Sequence, residues 1–286
     1  MKKFEVNGHE PSILPDGDWK LVWCDEFDGK ELDTSKWEYR THIWGERHPC
    51  FAESGVELDG NSNAVFKIFE KDGEICSPHL ETGTTWIDPP GIDEASFGAV
   101  DEGEKPGLVW PFGKFREQKF IHRYGYYECR CKLQGADGWW SAFWLQSPVI
   151  GTSPDPEISG IEVDVMESFS PGIIGPHVLH YNGYGVDHKS KWCGLDDREL
   201  SLDEYHRFGV LWEEDGYTFF IDGVQDGEKI TSPVSRIPQF ILLSTEVKGY
   251  RSSLHTASEK AKIAAKLGDS FNVDYVRVFD RVEQQK

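Results

Sequence analysis

Residues 160–169 read Gly-Ile-Glu-Val-Asp-Val-Met-Glu-Ser-Phe, so three carboxylates stand in an otherwise apolar, β-branched run. This composition is typical of a β-strand. Side chains alternate between the two faces of a strand, so Glu162 and Asp164 share a face, whereas a regular strand would turn Glu167 away from them. One extra residue around 165–166, a β-bulge, would return Glu167 to their face. The stretch therefore predicts three acidic side chains in a row.

The three acids carry a cost that a purely structural strand would avoid. Like charges this close repel one another, and burial raises the free energy of ionising each carboxyl. The alternative is a solvated polar face on an edge strand, but the acids stand in the middle of a hydrophobic run. Two carboxyl groups in different environments are what glycoside hydrolysis needs. One stays ionised and attacks the anomeric carbon, and the other holds a proton for the leaving oxygen.

Composition limits the kinds of molecule that the protein is expected to bind. The 286 residues carry a formal net charge of −20, which argues against nucleic acid and anionic membranes and favours a neutral substrate over a sulfated one. Aromatic residues make up 13% of the chain, with 11 tryptophans, and sugar rings stack on aromatic faces. No run is long enough to span a membrane, and residues 1–8 do not form a signal peptide. The protein is expected in the cytoplasm, or outside the cell if a leader has been removed.

Four other segments carry recognisable patterns. They read Asp-Glu-Phe at residues 25–27, Gly-Trp-Trp-Ser-Ala-Phe-Trp-Leu-Gln at 138–146, Phe-Ile-Asp-Gly at 220–223 and Phe-Asn-Val-Asp-Tyr-Val-Arg-Val at 271–278. Asp-Gly pairs in the last third of the chain indicate hairpin turns. Short alternating strands separated by turns predict two antiparallel sheets packed face to face.

Together these segments resemble glycoside hydrolase family 16, which includes laminarinases, lichenases, agarases and carrageenases. The Glu-x-Asp-x-x-Glu spacing resembles the bulged form of the family's active-site signature. Carried over by position, the resemblance implies that Glu162 is the nucleophile, Asp164 the assisting acid and Glu167 the acid/base. The turn at residues 244–250 lacks the Gly-Gly-rich sequence usual in laminarinases, which leaves the substrate open.

Six further side chains are predicted to contact substrate. The tryptophans of the 138–146 run resemble those that border the sugar beside the cleaved bond, and one of them has the alternative of packing in the core. His180 resembles a histidine that the family places beside the acids; the alternative is a hydrogen-bonded core residue. For Arg130 the alternative is a solvated face of its strand. The six are Trp139, Trp140, Trp144, His180, Arg130 and Tyr250.

The resemblance also implies a structural calcium ion away from the acids, while catalysis needs no cofactor. Asp274 resembles the carboxylate ligand, and Glu26 and Gly60 stand where backbone carbonyls would contribute. The alternative for Asp274 is a hydrogen bond within the sheet.

The predicted fold is all-β: a concanavalin-like β-sandwich, or jelly roll, of two curved antiparallel sheets with a substrate cleft. Residues 1–18 are expected as a surface arm, 19–280 as a single catalytic domain and 281–286 as a tail, in a monomer. The predicted function is a retaining endo-β-glycosidase acting on β-1,3-glucan or a neutral β-galactan. The alternatives are a sulfated-galactan hydrolase of the porphyranase or carrageenase kind, a transglycosylase, and a carbohydrate-binding module without catalysis.

Overall fold

The computed structural model of the chain describes residues 1–43, 46–88, 116–185, 187–194, 196–247 and 267–282. Its described elements are one short helix, α1 (Pro156–Ser159), and β-strands joined mostly by short turns. In chain order the strands are β1 (Lys2–Phe4), β2 (Ser12–Leu14), β3 (Trp19–Asp25), β4 (Glu38–Tyr39), β5 (His42–Ile43), β6 (Glu46–Arg47), β7 (Phe51–Ala52), β8 (Val56–Leu58), β9 (Ala64–Phe66), β10 (Phe69–Lys71), β11 (Glu74–Glu81), β12 (Gly125–Lys132), β13 (Trp139–Gln146), β14 (Glu162–Ser168), β15 (Ile173–Ile174), β16 (His177–Tyr181), β17 (Lys189–Cys193), β18 (Arg198–Glu199), β19 (His206–Glu213), β20 (Gly216–Ile221), β21 (Val224–Ile230), β22 (Phe240–Val247) and β23 (Phe271–Arg281).

Two large sheets dominate the molecule. The first, here called the site sheet, has the order β10-β11-β22-β13-β14-β16-β17, with β4 and β7 also pairing with β11. The second, the outer sheet, has the order β21-β20-β19-β12-β23-β9-β8, with β3 also pairing with β23. Apart from the parallel β7–β11 pair, the strand pairs of both sheets are antiparallel. The all-β sandwich predicted from the sequence is confirmed.

Alternation along the strands builds the core between the sheets. On β13, Phe143 and Leu145 point into the core, where they meet Val163 from β14. The outer sheet contributes residues such as Tyr127 and Val276 to the same cluster. Each such side chain, fully buried, stabilises the fold by roughly 1.5–3 kcal/mol. The intervening residues of β13 and β14 are left to face the opposite side of the site sheet, where the acids lie.

The N-terminal residues, predicted as a surface arm, are built into the sandwich. Strands β1 and β2 form a hairpin that covers the outer face of the outer sheet, where Leu14 is completely buried beside Tyr126. The Ile13 amide donates to Glu128 at 3.2 Å, and Arg277 donates to the Glu10 carbonyl at 2.8 Å. An apolar contact and buried polar bonds therefore fix the segment. At the other end of the chain, β23 runs to residue 281, and residues 283–286 of the predicted tail lie outside the described residues.

Within the described ranges, the model contains no helix with the length and apolar character needed to cross a membrane.

Candidate active site

The predicted bulge lies in β14. Phe143 on β13 pairs with Met166, and the next residue, Trp144, pairs with Asp164, so Val165 has no partner on β13. This irregularity returns Glu167 to the face of Glu162 and Asp164, as the sequence predicted. The three acids line one cavity of about 250 Å³.

A buried histidine holds the bulge from the core side. The Nδ1–H of His177 donates to the carbonyl oxygen of Val165 at 2.7 Å. Its Nε2 lies 3.2 Å from Asp226 on β21, and the ring stacks on Phe219 with centroids 4.2 Å apart. Asp226 also pairs with Arg198. His177 therefore ties the irregular backbone of the acidic strand to the outer sheet, a role that was not predicted from the sequence.

Glu162 is surrounded by donors. Gln146 Nε2 donates to Glu162 Oε2 at 3.0 Å, and the Tyr184 hydroxyl donates to the same oxygen. Burial and the neighbouring Glu162 charge raise the pKa of Tyr184 well above its ordinary value, so the phenol keeps the proton it donates. Two donors on one oxygen stabilise its negative charge and fix the direction of the carboxylate.

Glu167 lies in the opposite kind of environment. Burial raises its pKa well above the ordinary value, and the charges of Asp164 and Glu162 raise it further. The hydrogen bond from Trp140 Nε1 to Glu167 Oε1, at 3.0 Å, acts in the other direction but is outweighed. Glu167 therefore retains a proton under conditions in which an exposed glutamate has lost it.

His180 lies over the row of acids. Its Nε2 is 3.3 Å from Asp164 Oδ2 and 4.0 Å from Glu162 Oε1, while Nδ1 contacts Ser190 Oγ at 2.8 Å and His188 Nε2 at 3.0 Å. Burial alone would lower the pKa of His180, but the Asp164 hydrogen bond and the surrounding carboxylates raise it to about 9. At neutral pH the ring is an imidazolium that offsets part of the negative charge.

The floor of the cavity beside the acids is aromatic. Trp144 is held from one end by a 3.1 Å hydrogen bond to Ser244, and the Arg40 guanidinium lies 5.5 Å from its ring centroid. Arg40 is buried and paired with Asp88 at 2.7 Å. Trp140 and Trp144 both line the cavity, as predicted from the alternation along β13.

Two side chains predicted as substrate contacts lie elsewhere, and a third falls outside the described residues. Trp139 points to the other face of β13, where it is completely buried in an apolar cluster with Val247. Arg130 is on β12 of the outer sheet and pairs with Asp274. Both predictions were wrong, for Trp139 because neighbours on a strand face opposite sides. Tyr250 lies outside the described residues.

Two groups of residues bear on metal binding. Asp274, the implied calcium carboxylate, already bears the Arg130 guanidinium, whereas Glu26 and Gly60 were implied only through their backbone carbonyls. A cation already in place at Asp274 repels a second one, so this arrangement does not fit calcium. In the described part of the chain, donor atoms of Glu162, Asp164 and His180 also lie within 4.8 Å of one another.

Two residues that contact Glu162, Gln146 and Tyr184, were not predicted as site residues. Gln146 was on the face of Trp140 in the 138–146 pattern, so the alternation already signalled it. Tyr184 follows β16 in a connecting segment, where periodicity gives no sign of the direction of a side chain.

Comparison with known proteins gives a consistent result. Residues 112–266, just over half of the chain, match the family model described as "Glycosyl hydrolases family 16". The chain is 26% identical over 279 residues to "Glucan endo-1,3-beta-glucosidase A1" of Niallia circulans, with 91% of this chain and 37% of the relative aligned. It is 27% identical over 210 residues to "Beta-porphyranase D" of Zobellia galactanivorans, with 68% and 43% aligned. The chain thus spans less than half the length of these two curated relatives.

Solved structures show the same fold. The catalytic domain of an endo-1,3-beta-glucanase (laminarinase) from Thermotoga petrophila RKU-1 superposes with a TM-score of 0.63 at 20% identity, covering 94% of this chain and all of the other. A "non-specific endo-beta-1,3(4)-glucanase from family GH16" superposes with a TM-score of 0.61 at 21% identity, covering 96% of this chain and 95% of the other.

Proposed function

Because the chain belongs to glycosyl hydrolases family 16, we propose that it is a retaining endo-β-glycosidase with Glu162 as nucleophile and Glu167 as acid/base. One observation carries this proposal: the two carboxyl groups share a face and a cavity but differ in environment. Glu162 accepts hydrogen bonds from Gln146 and Tyr184, whereas burial raises the pKa of Glu167. Environments that separate two carboxyl groups in this way assign one as the base or nucleophile and the other as the acid.

In the proposed first step, Glu162 attacks the anomeric carbon while Glu167 protonates the leaving glycosidic oxygen. In the second step, Glu167, now ionised, removes a proton from a water molecule, whose oxygen bonds to the anomeric carbon as the bond from that carbon to Glu162 breaks. Retention by this route requires the two carboxyl groups to lie about 5–5.5 Å apart when substrate is bound. The product keeps the configuration of the bond that was cleaved.

Asp164 and His180 are proposed to tune this pair. Asp164 is 5% exposed and lies between the two glutamates on the bulged strand, where its charge favours the protonated form of Glu167. The His180 imidazolium compensates the row of acids at 3.3 Å from Asp164. Without this cation, the free energy needed to ionise any of the three carboxyl groups would be higher.

For the substrate we favour a neutral β-1,3-glucan or β-galactan over a sulfated galactan. The curated relatives include a glucan endo-1,3-beta-glucosidase and a porphyranase, so similarity leaves both open. Among the described residues that line the cavity, Glu162, Asp164, Glu167 and Glu246 are acidic, and histidine is the only residue type that can carry positive charge. A sulfate group would meet repulsion there. The aromatic rings of Trp140 and Trp144, which line the cavity, suit an uncharged sugar ring.

The test is hydrolysis of a panel of laminarin, mixed-linkage glucan, agarose, porphyran, carrageenan and arabinogalactan. Reducing ends and the masses of the products would be measured for the wild-type protein and for Glu162→Ser. We expect activity on a neutral polymer, retained configuration in the first product seen by NMR, and a loss of several orders of magnitude in the variant.

Glu70→Gln, which changes an exposed glutamate on the edge strand β10, is the matched control and should leave turnover unchanged. Wild-type turnover in Glu162→Ser would refute the assigned role. Binding without release of reducing ends would indicate a carbohydrate-binding module, and products longer than the substrate in the presence of added oligosaccharide acceptors would indicate a transglycosylase.

A further inference from the structure

An exposed tryptophan stands in the same cross-strand row as the catalytic acids. In the site sheet, Trp144 pairs with Asp164, Asp164 with Val178, and Val178 with Trp192 on the edge strand β17. Residues paired across neighbouring strands point to the same face of a sheet. Trp192 therefore lies on the face that carries Asp164, on the edge side of the buried Val178.

The hydrogen bonds of β17 confirm this orientation. Ser190, two residues before Trp192 and so on the same face, contacts His180 Nδ1 at 2.8 Å, and His180 lies over the acids. Cys193 points the other way, into the main core cluster. The alternation of β17 thus places Ser190 and Trp192 beside the cleft and Cys193 beneath it.

Trp192 is the most exposed large hydrophobic side chain in the described part of the chain, at 68%. Leaving an indole in water sacrifices the stabilisation that burial of a large aromatic would provide. Two other tryptophans on this face of the site sheet, Trp140 and Trp144, line the cavity with the acids. An unburied ring on the same face is suited to stack on the apolar face of a pyranose.

We propose that Trp192 forms a distal sugar-binding platform of the active-site cleft. The inference rests on the proposed glycosidase function and extends it to the length of substrate that the enzyme holds. Two strand spacings separate Asp164 from Trp192, or about 10 Å. That distance exceeds one sugar ring, so the platform contacts a part of the polysaccharide that is not undergoing cleavage. Its occupant is an oligosaccharide or polymer long enough to cross β14, β16 and β17.

Steady-state kinetics of Trp192→Ala test this inference. With laminarin, or the panel polymer that the wild-type protein cleaves fastest, we expect KM to rise about tenfold, because a single aromatic stacking contact is lost. The value of kcat should stay within about twofold, since the reacting bond is elsewhere. The shortest oligosaccharide that the wild-type protein cleaves should show unchanged kcat/KM.

Trp192→Phe, which retains an aromatic face, should restore most of the affinity for the polymer. Val224→Ala, which truncates an exposed apolar side chain on the outer sheet, should change nothing. An unchanged KM for the polymer in Trp192→Ala would overturn the inference. So would an equal loss on long and short substrates, because the ring would then shape the catalytic centre itself.

Binding in the Glu162→Ser background separates this inference from the proposed function. Affinity electrophoresis in gels containing the polymer would compare Glu162→Ser with Glu162→Ser/Trp192→Ala, and we expect weaker retardation of the double variant. If no polymer is hydrolysed by the wild-type protein, the proposed function fails, but the electrophoretic comparison still decides the role of Trp192. Equal retardation of the two variants would refute the platform even in an active enzyme.

Discussion

Replacing His180 with glutamine is expected to destabilise the folded protein by about 2 kcal/mol at pH 6, and this difference should largely disappear by about pH 10. The carboxylates of Glu162, Asp164 and Glu167 face the ring from β14, and His188 and Ser190 face its other nitrogen. The charged ring is therefore favoured by the folded state. Glutamine keeps a polar group in its place but cannot carry the charge.

The magnitude follows from the pKa of His180, which rises from 6.5 to about 9 in the folded state. Each pKa unit corresponds to about 1.4 kcal/mol, so the full shift would contribute about 3 kcal/mol. The side chain is 23% exposed, and solvent screening reduces the expected value to about 2 kcal/mol. Because the folded pKa lies above the unfolded one, the contribution is complete below about pH 6.5 and is lost as the pH rises through 9.

Urea unfolding of the wild-type protein and His180→Gln at pH 6, 8 and 10 would measure the difference, and an NMR titration would follow the ring directly. Asp164→Asn is the matched variant. It removes the carboxylate whose hydrogen bond and charge raise the pKa of His180, and should move the titration of the ring to lower pH. A ring that titrates near 6.5 in the wild-type protein, or a stability difference that stays constant with pH, would refute the reasoning.

Three other outcomes are expected. His177→Phe should lower kcat about 100-fold with a smaller change in KM, because the Val165 carbonyl loses its donor and the bulge that aims the acids shifts; an unchanged kcat would show that the bulge holds its own shape. A chelator should leave the melting temperature unchanged, whereas Arg130→Ala should destabilise the fold by about 2 kcal/mol, because Asp274 loses its cation; a fall in melting temperature on chelation would instead reveal a bound ion. Deleting residues 1–14 should lower the melting temperature by several degrees, since Leu14 and its neighbours cover apolar surface of the outer sheet, and a melting temperature equal to that of the full chain would contradict this packing.

The sequence predicted the parts of the fold in which local rules act alone. Alternation and the six-residue acid spacing predicted β14 with its bulge, and Asp-Gly pairs marked the turns around β20. Strand β11 (Glu74–Glu81) was missed, because Pro78 and a mixed polar composition disguise it. Its assignment depends on pairing with β22 and β7, which no local pattern reveals.

In the candidate site too, local sequence patterns predicted some residues, and others depend on tertiary contacts that no local pattern reveals. Trp140, Trp144 and the acids follow from which face of a strand each residue takes, and His180 from its likeness to a family histidine. The residues that hydrogen-bond to these groups, or to their backbone, could not be predicted from the sequence. Tyr184 lies in a connection, and His177 acts through a backbone carbonyl on another strand. Arg130 appeared solvated in the pattern of β12, yet it is paired with Asp274 across the neighbouring strand β23. Contacts that depend on tertiary pairing leave no trace in periodicity.

The place of β23 in the outer sheet has a consequence for biosynthesis. This strand comes after every other strand of the described residues, yet it lies in the middle of its sheet, between β12 on one side and β9 and β3 on the other. While a ribosome is still making residues 271–281, those neighbours have unpaired edges and the apolar core is open on one side. Pairings this distant in sequence form slowly, and exposed strand edges aggregate. The nascent chain should therefore depend on chaperones until β23 emerges, and the outer sheet should then close around this strand in one cooperative step.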